Sequence, residues 1–481
     1  MTRIFLFSVL LAIALNARSN TYVIQNVNLV PMTEELVLEN YSVLIDGGSI
    51  KKICAKADSC QAADAKKIDG SGKYLMPGLS DMHAHVEAAS PGSAPPAMVG
   101  MSKRVQYNQL RQYVLFGVTT IRDTGGGVNN LRVRGEIEAG EALGPRLFTS
   151  RFVMDGKPGL HPATQAYEFD DPELASEYVE ESIALGYDFI KIYSTLTTPV
   201  FDAIMKTATE NNVPVIGHVP MQIDIEYALK SGMRSIEHLS GYDVSCAGPD
   251  AGIQPTMADV YQGWNYCTEE QIRQLAAMTT KYNVWNDPTL IVIESLKTNI
   301  ERDTASDPEE LKYTNPLVFA SVDYLYSIFT PRARAGLKAA RPTRLALVKA
   351  LNDAGAPLLI GTDTGAAGYN VHQELALFVE AGLSPYQALH AATVEAARYF
   401  DMQGKFGTVT EGASADLVLL NANPLEDISN AKDINGVMLR GVWLDREFIQ
   451  NTTTEILAAN EKELERLKAL MAEAAATTQP E

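Results

Sequence analysis

Short alternating runs of apolar and polar residues, broken by turns, fill the chain from Tyr22 to about Tyr74: "YVIQNVNLV", "YSVLIDGGSIKKI" and "KKIDGSGKYLMPG". That texture predicts antiparallel β-structure. It returns after Phe406 in "ADLVLLNANP" and "GVMLRGVWLDREF". Two β-rich flanks around a long middle predict a small composite β-sandwich built by both ends of the chain, residues 20–75 and 405–450. Over 451–481, "TEILAANEKELERLKALMAEAAA" predicts an exposed helix ending in a polar tail.

The middle, 76–404, alternates short apolar runs with amphipathic helical stretches. Eight candidate strands stand out: "YLMPGLSDMHAHV", "GVTTIRD", "GPRLFTSRF", "YDFIKIY", "VPVIGHV", "MRSIEHL", "NVWNDPTLIV" and "APLLIGTD". Strands and helices in that alternation predict an α/β fold, a (β/α)₈ TIM barrel. A doubly wound open sheet is the rival, but the "TGGG" at Thr124–Gly127 lacks the spacing of its phosphate-binding turn. Between 241 and 349 the chain is longer than one βα unit needs, and it reads as an elaborated lid over the barrel mouth.

Composition narrows the partners. With 481 residues, 46% of them hydrophobic, the chain can hold a barrel and an appended module. A net charge of −19 repels phosphate backbones and argues against nucleic acid. Arg3, an apolar run from Ile4 to Leu15 and small residues at Ala17 and Ser19 have the layout of a secretory signal over 1–19. The run is too short to span a bilayer. Nothing later resembles a membrane span, so the expected protein is exported, periplasmic or secreted. In that setting Cys54 with Cys60, and Cys246 with Cys267, are expected to form two short-range disulfides, four free thiols being the alternative. A small-molecule substrate is the expected partner, and a homo-oligomer is left open.

The candidate chemistry lies at strand ends. His83 and His85 are two apart, so in a strand they share one face. Lys191 follows the fourth candidate strand, His218 the fifth, His238 the sixth and Asp363 the eighth, each at the end where barrels gather their chemistry. Singly, each has a plainer explanation: a hydrogen-bonded structural His, a solvated Lys, an Asp capping a helix. Four of the chain's seven histidines meeting a Lys and an Asp at the same end of one barrel is hard to ascribe to chance.

"PGLSDMHAHV", "FIKIY", "VIGHVP", "SIEHL" and "IGTDTG", in that order, resemble the metal-dependent amidohydrolase superfamily. "HQELALFVEAGLSPYQALHAATVEAARYF" and "GTVTEGASADLVLLNANPLEDI" are similar to its imidazolonepropionase-like and prolidase-like branch, which carries a binuclear site with a carboxylated lysine. The resemblance covers nearly the whole mature chain and implies a barrel with a β-sandwich from both chain ends. It implies that His83 and His85 bind the more buried metal, that His218 and His238 bind the more exposed one, and that carboxylated Lys191 bridges them. Asp363 would ligate and shuttle protons. An ammonium has no lone pair to offer, whereas the carbamate made from Lys191 and CO₂ has two oxygens. Two divalent ions, Zn²⁺ above all, suit this donor set, with Mn, Fe or Co also compatible. The implied reaction is hydrolysis of an amide or peptide-like C–N bond in a small N-acyl amino acid or dipeptide, by attack of a metal-bridging hydroxide. Ester or lactone hydrolysis at the same site, or a non-catalytic periplasmic binding relative, are the alternatives.

A mononuclear deaminase-like site would use a Glu after strand five, which "VIGHVP" does not offer. His161 is a candidate for bonding the substrate carbonyl, against a plain loop role, and Tyr193 for lining the pocket, against packing. His372 is read as a helix-start residue and His390 as structural. Where some peptidases of this branch have a Tyr two residues after the strand-five His, this chain has Pro220. That weakens a claim to C-terminal proline specificity.

Overall fold

The computed structural model describes residues 21–55, 60, 62–86, 96–160, 166–248, 261–294, 308–317 and 331–477. The expected secretory signal and His161 lie outside the described residues. In chain order the strands are β1 (Tyr22–Leu29), β2 (Leu38–Asp46), β3 (Ser49–Cys54), β4 (Lys66–Asp69), β5 (Tyr74–Pro77), β6 (Leu79–Ala84), β7 (Val118–Asp123), β8 (Arg146–Thr149) and β9 (Val153–Gly156). They continue as β10 (Ala166–Phe169), β11 (Ile190–Ile192), β12 (Val215–Gly217), β13 (Ser235–Glu237), β14 (Trp285–Asp287), β15 (Leu417–Leu420), β16 (Ile434–Leu439) and β17 (Val442–Leu444).

Strands from both chain ends are hydrogen-bonded into one eight-stranded sheet, ordered β17-β16-β15-β5-β1-β2-β3, with β4 also beside β1. The seam between the ends is the antiparallel pair β5 and β15, in register from Tyr74↔Leu420 to Pro77↔Leu417. Alternation explains its core: Val43 with Ile45, and Leu417 with Leu419, put buried side chains on one face and pack with Ile24 and Leu75.

The middle of the chain forms a TIM-barrel-like α/β fold. Its strands lie in two parallel sheets, β6-β7-β8 and β10-β9-β11-β12-β13-β14. A parallel bridge from Ser150 to Phe189 links one to the other. The eighth predicted strand, "APLLIGTD", makes a single bridge from Leu358 to Asn286, and Ile360 accepts a 2.8 Å hydrogen bond from the Met82 N–H of β6. It falls short of a full strand because the backbone turns at Asp363 (φ 52°). Gly361 just before it sits where a Cβ would collide with Asp287 and with His83. β9 and β10 were not anticipated; "VMDG" and "AYEF" carry no sustained apolar run.

Of the stretch read as a lid, 249–260, 295–307 and 318–330 lie outside the described residues. Its described parts include the helix Glu269–Tyr282, β14 and the start of the helix Pro331–Asp353, ordinary members of a βα succession. The C-terminal helix runs from Arg446 to Thr477 and is not simply exposed. Ile456 and Leu467 are buried, and Glu463 accepts from Arg104 at 2.7 Å, tying it to the helix Pro96–Leu115. Both disulfides, Cys54–Cys60 and Cys246–Cys267, are formed. No described helix is long and apolar enough to cross a membrane.

Candidate metal centre

Three of the strand-end histidines are anchored through Nδ1, and three present Nε2 to one carboxylate. His83 Nδ1 lies 2.7 Å from Glu237 Oε2, His238 Nδ1 2.6 Å from Thr289 Oγ1, and His218 Nδ1 2.8 Å from Ser194 Oγ. A carboxylate only accepts, so His83 donates through Nδ1 and keeps a lone pair on Nε2. The Nε2 atoms of His85, His238 and His83 lie 3.1, 3.7 and 3.9 Å from the carboxylate of Asp363. The ring of His218 stands 4.8 Å from that of His238, and the Tyr193 ring packs 4.0 Å from His218. His83, His85 and Asp363 together offer donor atoms close enough for one ion.

Lys191, in the middle of β11, is 3% exposed, and its Nζ has no hydrogen-bond partner among the described residues. Burial lowers its amine to about 8 despite the pull of Glu237 and Asp363. An unpaired ammonium at such a site is costly, so burial favours the neutral amine. Burial likewise holds His83 and His238 well below the usual imidazole range, so both rings are neutral, as ligands must be.

The backbone is bent to make this convergence. His238 (φ 61°), Thr289 (φ 41°) and Asp363 (φ 52°) adopt the left-handed region at three strand ends, which is unfavourable for residues with a Cβ. Hydrogen bonds from the His238 N–H to Asp287 O (2.9 Å) and from the Asp363 N–H to His83 O (2.8 Å) hold two of them. Buried Asp81 ties the first strand to the last: Oδ1 accepts from the N–H groups of His83 (3.1 Å) and Thr362 (3.0 Å), and Oδ2 from the Thr362 hydroxyl (2.7 Å).

Beneath the histidines lies a dry ionic cluster. Arg122, wholly buried, donates to both oxygens of Glu237 (2.9 Å each), to Asp287 (3.2 Å) and to Ser235 Oγ (2.8 Å), and through Nε to the Met82 carbonyl. Its guanidinium stacks 4.8 Å over the Tyr399 ring. Burial, and then the charge of Glu237, push Asp287 far above the ordinary carboxylate range. His83, Glu237 and Asp287 also offer donor atoms within reach of one ion. The guanidinium of Arg122 is already bonded to both carboxylates, so the cation of that lower group is Arg122 itself.

The structure therefore brings together His83, His85, Lys191, His218, His238, Asp363 and Tyr193. His372 is elsewhere, on the helix Tyr369–Glu380 with Nε2 3.0 Å from Phe116 O, and His390 pairs with Glu395 at 3.6 Å. Sequence reasoning missed Arg122, Glu237, Asp81, Asp287 and Thr289. Glu237 adjoins His238 and Asp81 is two residues before His83, so proximity in sequence to the histidines was the one available signal.

Imidazoles and a carboxylate gathered at the strand ends of a TIM-barrel-like fold define a candidate metal site of the barrel-hydrolase kind. The chain belongs to the amidohydrolase family, which it matches over residues 74–444. Among curated proteins it is similar to ochratoxinase of Aspergillus niger, 25% identical over 308 residues, 61% of this chain and 52% of that protein. It is also similar to adenine deaminase of Ruegeria sp., 22% identical over 417 residues, 84% of this chain and 55% of that one. The chain thus spans about half the length of the curated relatives it matches. Among solved structures, a bottromycin amidohydrolase superposes with a TM-score of 0.68 at 24% identity, over 92% of this chain and 90% of its own. A prolidase complexed with N-methylphosphonate-L-proline gives 0.67 at 23%, over 89% and 100%. At these identities the structures speak to the shared fold.

Proposed function

We propose that the protein is a hydrolase of C–N bonds, acting on an amide or peptide-like bond in a small N-acyl amino acid or dipeptide. The observation that carries this reading is the aim of three imidazole Nε2 atoms at the carboxylate of Asp363, within 3.1–3.9 Å. His83 and His85 would hold the more buried of two divalent ions, His218 and His238 the more exposed, with Asp363 and carboxylated Lys191 completing the set. Neutral imidazoles with carboxylate-type oxygens suit Zn²⁺. Such ions, when bound, bring the pKa of water near neutrality and polarise a carbonyl. Lys191 fits the carbamate role because its buried Nζ lacks a partner: the free amine adds to CO₂ and releases one proton. Glu237, Thr289 and Ser194 keep three of the imidazoles oriented. Asp363 accepts a proton from the attacking water and returns it to the departing amine, which otherwise leaves as a poor anion.

The two parallel sheets and the strand-like segment at Leu358–Ile360 are read as staves of one barrel, with the sheet from both chain ends as its companion module. Two disulfides and the leader-like first 19 residues support export. The test is metal analysis of the purified protein together with turnover of N-acyl amino acids, dipeptides and lactones. Asp363→Asn is expected to lower amide turnover by about 10² or more while ions stay bound. Wild-type protein that holds its ions yet turns over none of the panel, or that binds no divalent ion, overturns the reading.

A further inference from the structure

Glu374, on the helix Tyr369–Glu380, has no exposed surface and belongs to none of the groups described above. Its two carboxylate oxygens accept from the N–H groups of Leu290 (2.8 Å) and Ile291 (2.7 Å), the two peptide units that follow Thr289. Thr289 is fully buried at φ 41°, a conformation that β-branched residues rarely adopt. From that conformation its hydroxyl reaches Nδ1 of His238 at 2.6 Å. His238 is itself left-handed at φ 61°, so neither partner rests in its preferred backbone well. A strained turn persists where its surroundings over-determine it, and the bidentate grip on the next two peptides does that.

We propose that Glu374 is a positioning residue for His238, acting through the peptides of Leu290 and Ile291 and the hydroxyl of Thr289. This rests on the reading that His238 holds the more exposed ion. Glu374 touches neither ion nor substrate. Its work is to keep Nδ1 of His238 engaged, so that Nε2 faces the site. A carboxylate that only satisfied two buried N–H groups would matter for folding and leave ion affinity unchanged.

The experiment measures zinc affinity of the metal-stripped full chain by competition with a chromogenic chelator, for wild type, Glu374→Gln, Thr289→Val and the double variant. Glutamine keeps the shape but turns an NH₂ towards one of the peptide N–H donors. Wild type is expected to bind two ions. Each single variant should weaken one of them by about 10-fold and leave the other alone, the scale on which groups supporting a ligand act. The double variant should lose no more than the worse single, because both lie on one chain of contacts. Glu374→Gln with both affinities intact and only a lower melting temperature overturns the inference and leaves the hydrolase reading standing. Losses that multiply in the double variant also overturn it. Wild type that binds no zinc overturns both. If Glu374→Gln does not fold, Glu374→Asp, which withdraws both oxygens by one methylene, is read by the same criteria.

Discussion

Arg122 is a full positive charge without contact to water, held between Glu237 and Asp287 and seated on Tyr399. Removing the guanidinium leaves buried Glu237 without its counter-ion, at a cost of about 3–5 kcal/mol. Arg122→Met is therefore expected to lower unfolding stability in urea by that order, and an unchanged midpoint would show that the buried pair adds nothing to stability. On the proposed binuclear reading, Lys191→Ala should lower the metal content found by elemental analysis, and the native mass of wild type should carry one added CO₂; equal metal content in both proteins would set Lys191 outside the site. At this scale the candidate ligands stood out because His, Lys and Asp are chemically distinctive and recur at strand ends. Arg122 and Thr289 were not. Their roles depend on which residues of other strands meet them, and an Arg in "TTIRDT" or a Thr in "NDPTL" carries no mark of its neighbours.

The helix Tyr369–Glu380 serves two ends of the molecule. Glu374 reaches towards the strand-end turn at Thr289, and His372 pins the start of β7 by donating from Nε2 to Phe116 O. Burial, set against that one hydrogen bond, lowers His372 to about 4, below its ordinary 6.5. The folded ring thus stays neutral over a range where the unfolded chain takes a proton. Its contribution to stability is complete above pH 6.5 and is lost as the pH falls towards 4, by at most about 1.4 kcal/mol per pH unit. His372→Gln, which can still donate to Phe116 O, is expected to flatten the fall in urea-derived stability between pH 6.5 and 4.5. An identical slope in both proteins would place this ring's titration elsewhere. Elements with strong apolar runs, such as β6, β7 and β12, coincide with the patterns that foretold them. β9 and β10 differ, because "VMDG" and "AYEF" carry no sustained apolar run, whereas three-residue β12 sits inside "VPVIGHV". The eighth strand was foretold but makes a single bridge.

Across the whole molecule, the β-rich flanks visible at either end of the sequence become one sheet, joined where β5 meets β15. The two similar textures predict one module from both ends, but not which strands pair, since pairing across more than 300 residues leaves no local trace. Two hairpin turns also touch at this junction: a Cβ on Gly441 (φ 79°) would lie 2.6 Å from the Cα of Gly48. Backbone there has nowhere to withdraw, so Gly441→Ala should cost about 1–3 kcal/mol in a thermal or urea melt, and an unaltered melt would mean that the turns are free to part. The β5–β15 seam also sets a timetable. While the ribosome is still copying the middle of the message, one edge of β5 has no neighbour, because Leu417–Leu420 does not yet exist. A nascent or prematurely ended chain carries that naked border, open to pairing with another strand until residues 417–420 have been made.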